Sequence, residues 1–327
     1  MGRLARRWQQ RLTTAALLAA TATPAAAQSS GEGAIFLLRP VGARSVGVGQ
    51  SSSARRDGVE AAWINPAAVA GLRNREVALF YSQDFFATAN AVAIAFPSVL
   101  GGTIVAAGEV QDFGAQEVTG EPGSPPQGTL LPRALIVTGS YASRLTRVLR
   151  VGVALKLVQL RLDCTGACNI GREVAETHAL DGGAQWDLLE NGNATLAVSV
   201  RHVGRSLRAG QDEGDRLPTR VQVGVAIRYP MAERYRDILF GTLSADLVQA
   251  TQNHARQLRL GADLSWEGRA FLRAGYVFAT AAEETGGPSL GLGILSGNLQ
   301  VDIARVFTGF STDAGQAPTF LSILLRL

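Results

Sequence analysis

The sequence predicts an all-β protein, a transmembrane antiparallel β-barrel of about 14 strands with an N-terminal plug, or hatch. Three observations carry this prediction: apolar and polar residues alternate along many short runs, short and long connections alternate between those runs, and the chain ends in a strand. In that last strand Leu321, Ile323 and Leu325 share one face, because successive strand residues point to opposite faces. A closed barrel uses such a strand to pair with its first strand.

Residues 1–27 read as a secretory signal peptide. Residues 12–22 are apolar but too short to span a bilayer as a helix, and an Ala25-Ala26-Ala27 cleavage site follows. The basic start of this leader consists of Arg3, Arg6, Arg7 and Arg11. Their removal brings the formal net charge of +4 to about zero, so the composition gives no reason to expect a nucleic-acid partner. The leader predicts an exported protein, and the barrel predicts the outer membrane.

Residues 28–74 differ from the rest because they are rich in glycine, alanine and serine. We expect them to form a compact hatch inside the barrel, with a short helix within 57–70 around Trp63. Residues 75–327 form the predicted wall, with the outer-membrane lipid around it.

The predicted wall consists of about fourteen runs in which apolar and polar residues alternate, an even number as single-chain bacterial barrels require. Asn191-Gly192 and Glu267-Gly268 have the composition of tight hairpin turns, whereas 113–132 and 162–175 are predicted long loops. Short turns at one end and long loops at the other are typical of outer-membrane barrels. The predicted strands cover 75–84, 87–97, 101–112, 133–144, 147–161, 176–188, 193–204, 217–230, 235–249, 254–267, 268–280, 287–296, 298–307 and 317–327.

Each predicted wall strand has one apolar and one polar face. In 217–230 Val223 and Ile227 share the apolar face, while Arg220 and Gln222 share the other. Lipid outside and polar groups inside explain this pattern, although a soluble β-sandwich with one solvated face is an alternative. The polar faces predict a charge network in the lumen, serving either packing between wall and hatch or a solute path. Its candidate members are Lys156, Asp187, Arg220, Arg228, Asp246, Arg259, Asp263, Arg273, Asp302 and Arg326.

No motif for catalysis, cofactor binding or metal binding stands out. The three histidines, His178, His202 and His254, are far apart and lack metal-ligand spacing. Cys164 and Cys168 lie in a stretch that reads as a loop, and an oxidising compartment favours a disulfide between them. The expectation is a protein that is not an enzyme.

The region between residues 36 and 67 resembles the PorV/PorQ family of outer-membrane proteins, which is similar in turn to the FadL long-chain fatty-acid transporters. The resemblance rests on Phe36-Leu37-Leu38-Arg39, on the segment 41–49 and on 61–67, which ends in Asn65-Pro66-Ala67. The family's Asn-Pro-Ala-Gly element lacks its glycine here, since Ala68 follows. The resemblance implies a fourteen-stranded FadL-like barrel with an N-terminal hatch, in which Asn65, Pro66 and Ala67 have a structural role.

Two functions follow from the resemblance. The first is binding of protein partners in or near type IX secretion, either secreted cargo or secretion-system components. The alternative is passive transport of hydrophobic small molecules across the outer membrane, and a purely structural barrel is a third. The chain length and the charged lumen favour the first. Partner binding predicts exposed apolar outer loops such as Leu130-Leu131-Pro132, whereas hydrophobic uptake predicts an apolar pocket in the upper barrel and a break in the wall.

Overall fold

The computed structural model describes residues 32–119, 125–167, 172–189, 192–209, 214–230, 238–280, 286–307 and 317–327. The predicted signal peptide, 1–27, lies outside these residues. The strands are β1 (Glu76–Gln83), β2 (Thr88–Val99), β3 (Gly102–Asp112), β4 (Gln116–Val118), β5 (Gly128–Arg144), β6 (Leu149–Gly166), β7 (Arg172–Asp187), β8 (Ala194–Gly204), β9 (Arg208–Ala209), β10 (Arg220–Pro230), β11 (Leu239–Ala250), β12 (Arg256–Trp266), β13 (Ala270–Ala279), β14 (Gly287–Ser296), β15 (Leu299–Val306) and β16 (Thr319–Arg326).

The strands close into a barrel. Each wall strand pairs antiparallel with its neighbours, β3 pairs directly with β5, and β8 pairs directly with β10. Strand β1 pairs with β16 from Glu76 opposite Arg326 to Gln83 opposite Thr319. Fourteen strands therefore form the wall, while the short β4 and β9 are additions at the ends of β5 and β7. The predicted closed antiparallel barrel of 14 strands is confirmed.

The outer face of the wall is apolar. Along β16, Ser322 and Leu324 are buried, whereas Ile323 and Leu325 are exposed on the opposite face. Leu243 in the middle of β11 is 65% exposed, and Trp266 at the end of β12 is 58% exposed. Apolar side chains outside and polar side chains inside are the arrangement that a bilayer requires of a barrel. Among the described residues, no helix is both long and apolar enough to cross a membrane.

The two ends of the barrel differ. At one end Leu327 donates its backbone N–H to the carbonyl of Arg75, and tight turns such as Leu100–Gly101 connect the strands. We call this the turn end. At the opposite end, which we call the loop end, β1 meets β2 and the longer connections begin. The alternation of turns and loops along the sequence therefore corresponds to two distinct ends of one barrel.

Residues 32–74, here called the N-terminal segment, pack against the inward faces of the wall strands. The segment contains a short α-helix, Ala43–Gly47, and 3₁₀ helices at Ile35–Leu38, Gly58–Trp63 and Pro66–Gly71. Ala43 and Val46 pack with Ala304 and Phe320 of the wall. Most of the segment is therefore buried by contacts with strands that are distant in sequence.

The single helix expected within 57–70 is wrong. Two 3₁₀ helices occupy this region, and Asn65 between them has extended backbone, with φ −146° and ψ 106°. Proline disfavours helical backbone in the residue before it and is well placed at the first position of a new helix. Pro66 therefore ends the first helix and starts the second.

Glycines allow the N-terminal segment to lie directly against the wall. A Cβ at Gly275 would overlap the backbone of Val48 and Gly49, and a Cβ at Gly261 would overlap Val48 and Ser51. Gly49 itself has φ 61°, which residues with a Cβ rarely adopt. The glycine composition of both parts thus serves close backbone packing as well as turns.

Three wall strands are longer than the sequence predicts. Strand β5 begins at Gly128 rather than 133, and the predicted loop 162–175 is largely strand, because β6 continues to Gly166 and β7 begins at Arg172. Leu130 pairs with Cys164 across this hairpin extension. Pro132 suggested a boundary, yet it sits within β5, where its carbonyl accepts a hydrogen bond from the Phe113 N–H.

Candidate functional site

An apolar cavity of about 650 Å³ opens at the loop end of the barrel. Its size falls within the range of small-molecule sites, which are generally lined by hydrophobic and aromatic groups with a few polar ones. Its apolar lining comes from both the N-terminal segment and the wall, and includes Ile35, Phe36, Val46, Phe85, Phe86, Phe113, Val277, Val306 and Phe320.

Five phenylalanines line the cavity, and four of them form two edge-to-face pairs. Phe36, in the first 3₁₀ helix, packs edge to face on Phe113 with ring centroids 6.3 Å apart. Phe85 and Phe86, between β1 and β2, make a second edge-to-face pair at 6.4 Å. Phe86 is 70% exposed. Because an exposed aromatic ring at the mouth costs hydration free energy, this position favours contact with an apolar molecule.

Two arginines at the cavity, Arg39 and Arg220, are paired with carboxylates. Arg39 lies 2.8 Å from Asp84, and Arg220 donates two hydrogen bonds of 2.9 Å to Glu32. A bidentate guanidinium–carboxylate pair is geometrically specific and strong when partly buried. These pairs join the N-terminal segment to the wall around the cavity, whose lining also includes Arg201 and Arg259.

A polar floor lies below the cavity. A small space of about 20 Å³, lined by Trp63, Lys156, Arg201 and His202 among others, continues downward from it. Lys156 Nζ is 2.5 Å from an Asp181 oxygen, and the Arg201 guanidinium donates to the Trp63 carbonyl at 3.3 Å. The cavity therefore ends at a layer of buried polar side chains.

A β-bulge in the wall brings His202 into this floor. The pairing of β7 with β8 shifts between Leu180 and Gly182, so that Asp181 faces two residues of β8. His202 has φ 60°, and its backbone N–H donates to Asp181 Oδ1 at 2.8 Å. Bulges re-aim side chains and increase local twist. Here the extra residue completes a contact among Lys156, Asp181 and His202, whose side chains are all buried.

Ion pairs between the N-terminal segment and the wall continue toward the turn end. Arg273 lies 2.7 Å from both Asp263 and Asp302. Arg55 lies 3.3 Å from Asp263, and Arg44 lies 3.6 Å from Asp302. These five residues form one chain of alternating charge that crosses from segment to wall twice. Such mutual pairing is what charges withdrawn from water require.

Glu60 and Asn65 anchor the segment internally. Glu60 accepts the Ser45 N–H at 2.7 Å and lies 3.5 Å from Arg44. Burial raises the pKa of Glu60 from its ordinary 4.5 to about 7, since a buried carboxylate loses hydration. Asn65 accepts the Ala67 N–H at 3.0 Å and donates to the Ser53 carbonyl at 3.0 Å.

The predicted charge-network residues occupy several separate places. Asp246 accepts hydrogen bonds from the N–H and hydroxyl of Ser53, at 2.9 and 2.7 Å, and Arg259 donates to Gln257 at 2.8 Å. Asp187 accepts a bidentate pair from Arg150. The remaining members either take part in the contacts above or lie near the turn end: Lys156, Arg220, Arg228, Asp263, Arg273, Asp302 and Arg326.

Two residues predicted to face the lumen differ from the others. Arg228 is exposed, and its guanidinium lies over the Phe240 ring, 4.5 Å from the centroid. Arg326 is partly exposed and donates to Gln300 at 3.0 Å. Both occupy strand positions that continue the inward face, but they lie so close to the turn end that water reaches them.

Two further sequence predictions concern the hairpin extension. Cys164 lies within β6, not in a loop, and Cys168 is outside the described residues, so the disulfide stays a prediction. Leu130 and Leu131 are half-buried and Pro132 is buried within β5, so they do not form the exposed apolar loop that partner binding predicted.

Across the described chain, no group of three or more potential metal ligands comes together.

Sequence reasoning missed the residues that build the apolar cavity. Phe36 was noticed only within a motif, and Phe85, Phe113 and Phe320 lie at or near strand ends. The sequence does contain one indication of the cavity, because phenylalanines recur where strands reach the loop end. The pairing of strands determines which of them meet, and that pairing was not available from the pattern alone.

No protein-family model matches the chain, and no curated protein matches it by sequence. Solved structures do match by shape. The toluene transporter TbuX of Ralstonia pickettii superposes with a TM-score of 0.60 at 12% identity, over 89% of this chain and all of that one. The toluene transporter TodX of Pseudomonas putida gives 0.57 at 13% identity, over 87% of this chain and 96% of that one.

A FadL homologue from Pseudomonas aeruginosa also matches, with a TM-score of 0.51 at 12% identity, over 88% of this chain and 98% of that one. Identities this low establish a shared fold and no more. The chain is therefore similar in architecture to outer-membrane barrels of the FadL type, and the fourteen-stranded FadL-like barrel that the sequence resemblance implies is confirmed.

Proposed function

We propose that this protein is a passive outer-membrane channel for hydrophobic small molecules and that residues 28–74 act as its hatch. The observation that carries the proposal is the aromatic-lined cavity of about 650 Å³ at the loop end. Burying apolar surface stabilises binding by roughly 25 cal/mol per Å², so such a lining holds a hydrophobic solute without a charged contact. The longer connections at that end favour its placement outside the cell, with the turn end in the periplasm.

The charge pairs and the floor give this cavity its selectivity. A neutral apolar molecule gains nothing from Arg220, which is occupied by Glu32, and it meets aromatic rings instead. Strongly polar solutes lose hydration on entering and find no free partner on the aromatic wall. The floor at Lys156 and Arg201 halts the solute in this conformation, so the cavity is a binding site on the path.

The type IX secretion hypothesis has less support than this alternative. Its predicted apolar contact site, Leu130-Leu131-Pro132, belongs to the wall. The structures with which this chain shares its fold are described as toluene transporters, a monoaromatic hydrocarbon channel and a FadL homologue. These descriptions concern those proteins and support the choice of hydrophobic molecules over secreted cargo. The same comparisons give no reason to expect an enzyme.

The proposal is tested with a pair of tryptophan variants on one strand. Val277 is buried and lines the cavity, whereas its neighbour Tyr276 is 41% exposed on the lipid face. Val277→Trp narrows the cavity, and Tyr276→Trp changes the outside only. Proteoliposomes containing each variant, with lipopolysaccharide in the outer leaflet to slow diffusion of apolar solutes through the lipid, are tested for uptake of a neutral aromatic probe, naphthalene, with empty liposomes of the same lipids as the baseline.

We expect wild type and Tyr276→Trp to raise uptake above empty liposomes and Val277→Trp to reduce that increment. Equal uptake by both variants would exclude the cavity as the route. Native mass spectrometry of the protein taken from its own outer membrane in mild detergent adds a second readout. A bound apolar molecule supports the channel, while stoichiometric retention of an exported protein would favour the secretion hypothesis instead.

A further inference from the structure

We propose that the turn end of the barrel is a docking surface for an acidic polypeptide segment of a periplasmic protein. The surface, here called the basic mouth, consists of Arg56, Arg144, Arg147, Arg228 and Arg326. This role goes beyond passage of a hydrophobic solute, and it needs only the proposed orientation, with the turn end in the periplasm.

The basic mouth has a large excess of positive charge. Arg56, Arg144, Arg147 and Arg228 are exposed, and Arg326 is partly exposed. Over the described part of the chain, Glu267 is the one exposed acidic side chain at this end. A surface charged so unevenly attracts oppositely charged partners and raises their rate of association.

The mouth differs from the neutralised charge network above it. Arg44, Arg55 and Arg273 are each held by carboxylates of Asp57, Glu60, Asp263 or Asp302. In the mouth, Arg56 contacts Asp187, but Arg150 also binds that carboxylate. Partial burial of the side chain, together with the neighbouring Arg150 and Arg144 guanidinium groups, lowers the pKa of Arg56. Asp187 is therefore shared by two arginines, Arg56 and Arg150.

The positive charges of Arg228 and Arg326 are also only partly compensated. Arg228 stacks on the Phe240 ring, 4.5 Å from its centroid, and makes no carboxylate contact among the described residues. Arg326 lies 3.7 Å from Glu76, a long distance for an ion pair. Arg56, Arg228 and Arg326 all line a cavity of about 330 Å³ that opens at this end.

The direction of the side chains excludes the surrounding lipid as the main partner. Arg144, Arg228 and Arg326 follow the buried residues Ala142, Ala226 and Leu324 by two positions, so they continue the inward face. Phospholipid headgroups lie outside the wall. A partner that reaches the inward face of the mouth must come along the barrel axis from the aqueous side.

The spacing of the arginines favours a chain over a small anion. Arg144 is on β5, Arg228 on β10 and Arg326 on β16, and these strands are four or more positions apart in the barrel. At about 4.8 Å per strand the charges are roughly 20 Å or more apart along the wall. A single phosphate or carboxylate cannot bridge them, whereas an extended acidic segment can contact several at once.

The test uses the full-length protein in nanodiscs of zwitterionic phosphatidylcholine and a fluorescent peptide of alternating Glu and Ser. Binding is measured by fluorescence anisotropy at low and high salt, with a Gln/Ser peptide as the neutral comparison. Two triple variants are compared with wild type. One is Arg144→Gln with Arg147→Gln and Arg228→Gln at the turn end. The other is Arg133→Gln with Arg172→Gln and Arg256→Gln, three exposed arginines at the loop end.

We expect saturable, salt-sensitive binding of the acidic peptide to wild type and at least about tenfold weaker binding to the turn-end triple variant. The loop-end triple variant should bind like wild type. Absent binding to wild type, or equal losses in both triples, would overturn the proposal. Displacement of the peptide by the same molar concentration of phosphate or free glutamate would replace it with a small-anion site.

The same samples separate this proposal from the channel proposal. Naphthalene uptake by the turn-end triple variant should equal that of wild type, because the altered residues lie outside the loop-end cavity. The Val277→Trp protein should still bind the acidic peptide. Failure of peptide binding with normal uptake rejects the docking surface alone, and the reverse result rejects the channel alone.

Discussion

At the scale of single residues, Asn65 links two places in the N-terminal segment to wall strand β7. Its amide accepts from Ala67 and donates to carbonyls of Ser53 and Ala184, the last of these in β7. We predict that Asn65→Ala loosens the N-terminal segment by about 1–3 kcal/mol, because buried backbone groups lose their partners. Limited proteolysis of the folded protein in detergent measures this as faster cleavage within 32–74.

The control for that substitution is Asn298→Ala, which removes the same side chain from an exposed turn between β14 and β15. Cleavage rates of the control should match wild type. If Asn65→Ala is also as resistant as wild type, the anchoring role of Asn65 is wrong.

Glu60 makes the packing of the N-terminal segment sensitive to pH. Because burial raises its folded-state pKa above the ordinary 4.5, to about 7, the folded segment favours the protonated form. The corresponding stabilisation is full below about pH 4.5 and is lost as the pH rises through 7, a change on the order of 3 kcal/mol. We therefore predict faster proteolysis of the segment at pH 8 than at pH 5, measured with a protease active at both values.

Glu60→Gln should remove most of this difference. The Gln side chain still offers an oxygen to the Ser45 N–H but does not ionise. A variant that keeps the full difference between pH 5 and pH 8 would show that another group controls the transition. Normalising to an unrelated folded substrate corrects for the protease's own pH dependence.

At the scale of elements, the contact between the segment and β13 depends on the absence of a side chain. A Cβ at Gly275 would collide with backbone atoms of Val48 and Gly49, which have little freedom to move. We predict that Gly275→Ala destabilises the protein by about 1–3 kcal/mol, the usual cost of overpacking. Thermal unfolding in detergent should show a lower Tm.

Gly139 provides the matched comparison, since a Cβ there meets nothing within 4 Å. Gly139→Ala removes the same backbone freedom in another wall strand without a collision. Equal Tm values for the two alanine variants would contradict the close approach of segment and wall.

The wall strands could be predicted from sequence because each carries a strict two-residue alternation. In β12, for instance, Leu258 and Leu260 face outward while Arg259 and Asp263 face inward. The N-terminal segment has no comparable period. Its backbone is set by tertiary contacts and by Pro66, so the predicted helix over 57–70 was wrong. The hairpin of β6 and β7 extends past the wall. There apolar and polar residues alternate only weakly, so the sequence does not distinguish a strand from a loop.

At the scale of the whole molecule, the apolar outer face predicts that the stability of the barrel depends on the surrounding bilayer. Leu243 lies in the middle of β11 and faces outward. We predict that Leu243→Arg destabilises the barrel by about 2–4 kcal/mol in lipid, the cost of a cation near the membrane midplane. Urea titration of folding into phosphatidylcholine vesicles measures this difference.

Leu100→Arg is the comparison, because Leu100 is 86% exposed in the turn between β2 and β3. There the guanidinium reaches water or headgroups, and the folding free energy should change little. An equal effect at both positions would mean that the apolar outer face is not embedded in hydrocarbon.

The candidate site could be predicted only in outline. Sequence alone indicated polar inward faces and a segment that fills the barrel, so buried ion pairs between them were a reasonable expectation. The apolar cavity was not foreseen, because Phe36, Phe113 and Phe320 are more than 70 residues apart from one another. Only strand order brings such residues together, and alternation within a strand carries no information about its neighbours across the barrel.

The pairing of β1 with β16 has a consequence for assembly. Glu76 lies opposite Arg326, so the seam that closes the barrel joins residues from nearly opposite ends of the described chain. Until that seam forms, both strands present unpaired N–H and C=O groups, which are costly in hydrocarbon and prone to pair with other chains. Contacts between such distant residues also form slowly. A partner that covers the open edges of β1 and β16 until the seam closes would therefore favour correct assembly of this topology over pairing with other chains.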